Sequence, residues 1–536
     1  MLQAVRIEGL RSLTDTGFID IKPLTILVGE NSSGKSTFLR FFPLLRQSLE
    51  ANTSGPILWS GFVDFGTYQE ARHNYNDPSS GINFHFKFRL EESKDLEDEM
   101  PDIFSSQESF FHRSILRKNS IDINLMLGLS ESIKETTRIS KIEYKINDST
   151  ITIEIAENLK ISKFEVNSLN ILDFGINFIA TSISSRSMIP TIVEFKDKKD
   201  DVDLEYRNLF FRKFASDVFK KLQEKVKALS KIRSDEKSRS FAAYLCQGIG
   251  SSIDILNIAK QLPMSKSWQN KTAMWEIDSQ EFQEIRDLII AINIPYLLED
   301  SDRYISNLAK YISYVGPARV TAEQRSQRVN EFSVSEIDPQ GRNLSLFLRN
   351  LDEPIKQDFD DWTSKYFGFK TVIRTNLGHI TLNMFFNDSK QEVNIADIGF
   401  GFSQMLPIIT QLWFLSKKNK KLRNTNYLPI IFAIEQPELH LHPRMQKVLT
   451  DVLVSTVQAA KDNNIDLRLL IETHSEVLVN QVGNLIYKEK IKPEDVNIVV
   501  FDKLPQENSS TVKIAYYNQE GFLKKWPVGF FDPGLE

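Results

Sequence analysis

Short apolar runs that stop abruptly at a polar or glycine-rich turn dominate both ends of the chain. Leu24 to Val28 is the first, a β-branched run of strand length halted by Gly29. Beyond the turn, Phe38, Leu39, Phe41, Phe42, Leu44 and Leu45 predict the start of a helix. Asn426 to Ile434 is a second apolar run, ending at Glu435, and a third begins at Leu467 and leads to His474. Val5–Arg11 and Gly17–Ile21 predict two short strands ahead of the first run, and Ile57–Gly66 a further strand and turn. Lys141–Ile146 and Thr150–Ile155 alternate with a period of two around Asn147 and Asp148, which predicts a hairpin. The middle turns helical. Leu209, Phe214, Val218, Leu222, Val226 and Leu229 fall at helical spacing between Tyr206 and Lys231, followed by helical segments through Phe241–Cys246 and over Gln280–Ile292. None keeps the heptad spacing of a long coiled coil. Strands return from Tyr311, and Met405–Phe414 reads as a helix.

The turn after the first run carries the most specific chemistry. Gly29, Glu30, Asn31, Ser32, Ser33, Gly34, Lys35, Ser36 and Thr37 follow the G-x-x-x-x-G-K-[ST] pattern. A glycine-rich loop between strand and helix aims backbone N–H groups and the positive helix end at one point, where a polyphosphate binds. Lys35 would reach the β- and γ-phosphates, and the Ser36 hydroxyl would join the shell of a Mg²⁺ ion. An acid ending an apolar strand, Glu435, would hold that Mg²⁺ through water. Asp397–Gln404, with Gly399, Gly401, Ser403 and Gln404 ahead of a helix, can form a second phosphate cradle. One nucleotide does not need two cradles in one lobe, so this one suits the nucleotide of a partner.

Composition narrows the setting. With 536 residues there is room for two or three domains. A single cysteine, Cys246, rules out an internal disulfide framework and cysteine-rich zinc modules, and suggests the cytoplasm. No apolar stretch approaches the roughly 18 residues of a membrane span, and the N-terminus lacks the pattern of a signal peptide. A net charge of −5 argues against a uniformly basic nucleic-acid binder. Between Arg212 and Arg239, ten basic residues against four acidic ones still mark a local basic stretch, read as one helix. A solvated face is the default for it, with a DNA or RNA contact the sharper alternative. His440 and His442 lack a third ligand and read as structural. Lys417–Arg423 reads as an exposed loop.

The order phosphate loop, Gly399–Gln404, Glu435–Pro443, Glu472–Ser475 resembles the ATP-binding-cassette ATPases of the RecF, SMC and OLD group. That resemblance implies an α/β fold, a two-lobed ABC-type P-loop ATPase head, here split in sequence by a mixed β/helical insertion. It places an N-terminal ATPase segment at 1–90, the insertion at 91–309 beginning with the acidic stretch Glu91–Asp102, a second ATPase segment at 310–500 and a tail at 501–536 packed on the head. It implies ATP and Mg²⁺ as cofactors and a homodimer or higher oligomer that sandwiches ATP between heads. Gly29–Thr37 would be the Walker A loop, Glu435 the Walker B acid, His474 the switch histidine and Gln69 the Q-loop residue on the metal. Gly401, Ser403 and Gln404 would close the site of the opposite head.

Two departures from the family pattern matter. The residue after the Walker B acid is Gln436 instead of a glutamate. An amide can position water but cannot take its proton, so hydrolysis would be slow or would recruit Glu438. The residues after His474 show no clustered acids of a toprim nuclease, so the chain is not expected to cut nucleic acid by itself. Val315–Arg319, Ile337–Leu344 and Gly521–Asp532 resemble segments of phage-defence ATPases, such as those of Septu systems and their retron-linked counterparts. There an HNH-type nuclease is the companion. The implied function is an ATP-gated scaffold for such an effector, with nucleic acid as a further partner. The alternative is a RecF-like repair ATPase acting directly on DNA.

Overall fold

Where one face of a sheet is buried, apolar and polar residues alternate. Where both faces are buried, the apolar run is continuous. The chain uses both patterns, in two units. In the computed structural model, residues 1–51, 53, 55–73, 81–90, 120–132, 136–181, 186–194, 206–246, 251–317, 327–328, 336–376, 379–388, 391–398, 400–417, 428–503 and 509–527 are described. Outside them lie Glu91–Asp102, Ala318, Arg319, Gly399, residues 418–427 and residues 528–536. One unit comprises residues 1–8, 48–58 and 67–307, and the other 9–47, 59–66 and 308–536.

The first unit is built on an antiparallel meander. Leu2–Leu10 pairs with Ile82–Leu90, and the following strands Ile121–Glu131, Thr137–Ile146, Ser149–Ile155 and Ile161–Val166 each pair with the one before. Period two explains the sidedness: Ile82, Phe84, Phe86 and Phe88 are buried, while Asn83, His85 and Lys87 between them are half-buried. The expected hairpin turns at Asn147, which takes φ 52° as its short polar side chain allows.

Helices Tyr206–Ser230, Asp235–Leu245, Ser252–Gln261, Lys266–Ala273 and Gln280–Lys310 complete the unit. The basic stretch from Arg212 to Arg239 is therefore two helices. Lys231 turns left-handed at φ 56°, and Ser234 caps the second helix by accepting from the Lys237 N–H at 3.3 Å. The last helix runs well past Ile292 through Pro295. Burial of Ile294, Leu297, Leu298, Ile305 and Leu308 offsets the one hydrogen bond that Pro295 removes. Phe88 of the meander stacks on Tyr304 of this helix at 4.5 Å.

In the second unit, Ile312–Val315, Ile430–Glu435, Leu467–Glu472, Leu24–Gly29 and Val496–Lys503 lie side by side in that order, all parallel. Ser510–Tyr517 then adds an antiparallel edge to Val496–Lys503. Every residue of Leu24–Gly29, Ile430–Glu435 and Leu467–Glu472 is buried, as a two-faced parallel sheet requires. Helices Lys35–Glu50, Phe400–Ser416, Pro443–Asp462 and Glu476–Tyr487 follow strands or loops of this unit. A smaller antiparallel sheet of Phe369–Asn376, His379–Phe386 and Glu392–Asn394 packs Phe369 and Phe386 on Phe402, at 5.9 and 5.5 Å between rings.

Two expected strands are corrected. Gly17–Ile21 contracts to the pair Ile19–Asp20. Ile57–Gly66 forms only an isolated bridge between Ser60 and Asp64. Gln47 takes the place of a strand partner there: its amide accepts from the Val63 N–H at 3.0 Å and donates to the Val63 carbonyl at 3.1 Å. Among the described residues, no helix is long and apolar enough to cross a membrane.

Candidate nucleotide site

The loop Gly29–Thr37 leaves the C-terminal end of a central parallel strand, the edge where such sheets bind ligands. Its two glycines are sterically required. A Cβ on Gly29, at φ 149°, would lie 2.2 Å from the Phe501 carbonyl oxygen, and one on Gly34, at φ 95°, 2.5 Å from Leu13 Cδ2. Glu30, Asn31 and Ser32 form the exposed tip, with Ser32 at φ 61°. Lys35 opens the helix, is 3% exposed, and donates from Nζ to the carbonyls of Gly29 at 3.0 Å and Glu30 at 2.6 Å. Burial holds its ammonium below the ordinary lysine range, against the opposing pull of Glu472 and Glu30. Ser33 Oγ is buried without a partner among the described residues.

Sheet register brings two acids to this loop. Glu435 pairs with Glu472 across the parallel ladder, and Glu472 in turn with Leu27 of the loop strand. Ser36 and Arg40, one helical turn apart, each meet one acid. The Ser36 hydroxyl donates to Glu472 Oε1 at 2.7 Å. Arg40 grips Glu435 with a fork, Nε to Oε1 at 2.6 Å and Nη2 to Oε2 at 2.8 Å. The Tyr314 hydroxyl also donates to Glu435 Oε1, at 2.7 Å. Burial and the neighbouring Glu435 carboxylate push Glu472 up to about 7. Burial first, and then Glu435, raise the Tyr314 phenol well above its usual range. The hydrogen bond to Glu435 raises Arg40.

The residues beyond the strand ends are pinned by backbone. Gln436, left-handed at φ 42°, donates its N–H to the Glu472 carbonyl at 2.8 Å. Glu438 Oε1 accepts from the His474 N–H at 2.8 Å. The His474 side chain is exposed, and partial burial followed by the Lys35 cation lowers its imidazole below the ordinary histidine range. His442 caps the helix Pro443–Asp462 by accepting the Arg444 N–H on Nδ1 at 3.3 Å, a structural role. No group of three or more His, Cys, Asp or Glu residues among those described could hold a metal by itself.

The remaining candidates sit differently. A Cβ on Gly401 would meet the His440 carbonyl oxygen at 2.8 Å, so this glycine lets the helix start approach the His440 backbone. Ser403 and Gln404 are 5% and 7% exposed. Gln69 belongs to the first unit, where it donates to Glu131 Oε2 at 2.9 Å from within a capping box between Thr67 and Glu70. Sequence reasoning passed over Glu472, Arg40 and Tyr314. Glu472 had a signal: it ends an apolar run as Glu435 does, and Arg40 stands four residues after Ser36. Tyr314 had none.

A glycine-rich loop between a central parallel strand and a helix, flanked by acid-ended strands, defines a P-loop ATPase fold, as the sequence implied. The chain matches the AAA ATPase domain family over residues 1–479 and belongs to it. No curated protein matches it. Among solved structures it is similar to an Smc head bound to the C-winged helix domain of ScpA, with 10% identity, coverage of 96% of this chain and 97% of the other, and a TM-score of 0.37. An Smc head with an extended coiled coil, bound to a ScpA domain and derived from Pyrococcus furiosus, gives 10% identity, 96% coverage of both chains and a TM-score of 0.33. The Smc head domain from Thermotoga maritima gives 8% identity over 96% and 98% of the two chains, with a TM-score of 0.32.

Proposed function

We propose that the chain binds ATP and Mg²⁺ at the Gly29–Thr37 loop, joins a second copy in doing so, and acts as a nucleotide-gated scaffold for a partner effector. The observation that carries the reading is the Lys35 and Ser36 pair at the loop, with Glu472 and Glu435 beside it. The buried, unpartnered Glu472 Oε2 next to the Ser36 hydroxyl fits Mg²⁺, which takes one or two carboxylates together with phosphate oxygens. When bound, the metal would neutralise phosphate charge. Lys35 would exchange its loop carbonyls for phosphate, Gln436 would orient water, and His474 would lie at the exposed rim. Gln69 as a metal contact and Gly401, Ser403 and Gln404 as contacts to a second head belong to the same reading. For the last two, side chains that are buried in this structure would have to become accessible.

Gln436 supports a clamp with slow turnover, because no carboxylate stands at the usual base position. The segment resemblances point to antiphage defence in the cytoplasm, with an HNH-type nuclease as the effector. Direct action on DNA is less favoured. In the basic stretch, Lys227 pairs with Asp235 at 2.5 Å, Lys225 with Glu284, and Lys221 lies 3.7 Å over the Phe174 ring. ATP turnover by the purified chain, with and without DNA, separates the two. The scaffold reading expects slow turnover that DNA leaves unchanged. Rapid turnover that rises with DNA would sink it.

A further inference from the structure

We propose that Glu438 is a positioning residue for His474. Its carboxylate fixes the backbone from which the imidazole reaches the terminal phosphate of ATP, and it does not take the proton that Gln436 leaves unclaimed. The proposal rests on the reading of Gly29–Thr37 as an ATP site. Glu438 Oε1 accepts from the His474 N–H at 2.8 Å, although 36 residues of sequence separate the two. The neighbours of His474 are tied as well. The Thr473 N–H donates to the Leu27 carbonyl at 3.0 Å, and the Ser475 hydroxyl to Gln446 Oε1 at 2.6 Å. With its own N–H held between them, His474 has a set backbone, and the backbone limits where its exposed side chain can point. Lys35 lies within electrostatic reach of that imidazole: after partial burial, its cation is what lowers the histidine below the ordinary range.

Glu438 is braced as firmly as the segment it holds. Its loop begins at Gln436, whose N–H donates to the Glu472 carbonyl at 2.8 Å, and closes at Leu441, whose N–H donates to the Glu438 carbonyl at 2.9 Å. Gln446 donates from Nε2 to the Leu441 carbonyl at 2.9 Å while its Oε1 accepts from Ser475, so one side chain ties both segments. Such bracing suits holding and opposes proton transfer. A carboxylate that took a proton would lose the charge that strengthens its bond to the His474 N–H. The two roles differ in what they need from the side chain. Holding the N–H needs only an oxygen acceptor, which Glu438→Gln keeps and Glu438→Ala removes, whereas neither variant can take a proton.

The test uses the full chain with Mg²⁺ and a fluorescent ATP analogue, displaced either by ADP or by a non-hydrolysable ATP analogue. The ratio of the two affinities reports contact with the terminal phosphate, and ADP affinity alone reports the folded loop. The unmodified chain is expected to prefer the ATP analogue. Glu438→Ala is expected to lower that preference about tenfold, the worth of a hydrogen bond to a charged group, with ADP affinity kept. Glu438→Gln is expected to stay within about twofold of the unmodified chain. His474→Ala is expected to lose the same preference, and Glu438→Ala added to it to lose nothing more. A preference kept in Glu438→Ala, a fall in Glu438→Gln as large as in Glu438→Ala, or a further loss in the double variant overturns the proposal. Loss of ADP affinity in Glu438→Ala makes the residue structural and overturns it too. An unmodified chain that binds neither nucleotide instead defeats the ATP-site reading, and the proposal with it.

Discussion

In the proposed function, Gln436 is the residue that sets the rate of ATP turnover. Its backbone is fixed by the Glu472 carbonyl at 2.8 Å, so a substitution there changes chemistry more than position. Gln436→Glu supplies the missing proton acceptor and is expected to raise ATP turnover by about 100-fold, the lower end of general-base effects. Phosphate release measured at saturating ATP checks it, and an unchanged rate would mean that the base is elsewhere. Cys246 gives a second residue-scale expectation. Burial pushes its thiol up to about 12, so the native chain should resist thiol reagents at pH 7 and react only on unfolding. Rapid labelling of native protein by a chromogenic disulfide would contradict that. The loop Gly29–Thr37 was readable from sequence because all its parts are local. The Ser36–Glu472 bond was not, because 436 residues separate the two and only the strand order joins them.

At the scale of elements, the helix Lys35–Glu50 is tied to the ends of two strands through Ser36 and Arg40. Removing the guanidinium leaves Glu435, 2% exposed, without its cation. Arg40→Ala is therefore expected to destabilise the fold by on the order of 3 kcal/mol, measured by denaturant unfolding. A loss below about 1 kcal/mol, the range of exposed pairs, would show that the pair contributes no more than a surface ion pair does. The helix Glu476–Tyr487 meets the C-terminal segment just as closely. A Cβ on Gly483 would lie 2.4 Å from the Gly521 carbonyl oxygen, and the Tyr517 hydroxyl donates to the Val479 carbonyl at 2.7 Å. Gly483→Ala should cost about 1–3 kcal/mol and expose the segment after Asn518 to limited proteolysis. A wild-type digestion pattern would place the strain elsewhere.

Elements with a continuous or alternating apolar pattern were legible in the sequence: the strands Leu24–Gly29, Ile430–Glu435 and Leu467–Glu472 and the hairpin at Asn147. Those that tertiary packing decides were not. The helix from Gln280 continues through Pro295 because its buried side holds it to Lys310. The break at Lys231 depends on one left-handed residue and one serine cap, which charge counting cannot see.

At the scale of the molecule, a parallel-sheet unit carries the loop and its acids, while a meander-and-helix unit holds Gln69 and the basic helices. The match to the AAA ATPase domain family, over residues 1–479, takes in both units. In the proposed function, nucleotide held by Lys35 is a signal for association more than a fuel. Sedimentation velocity of the full chain, with and without ATP and Mg²⁺, tests that claim most directly. The account expects the unmodified chain to shift to a dimer or higher oligomer only with nucleotide, and Lys35→Ala to stay in the nucleotide-free form at the same concentrations. Equal association of Lys35→Ala with ATP, or no change in the unmodified chain, would contradict it.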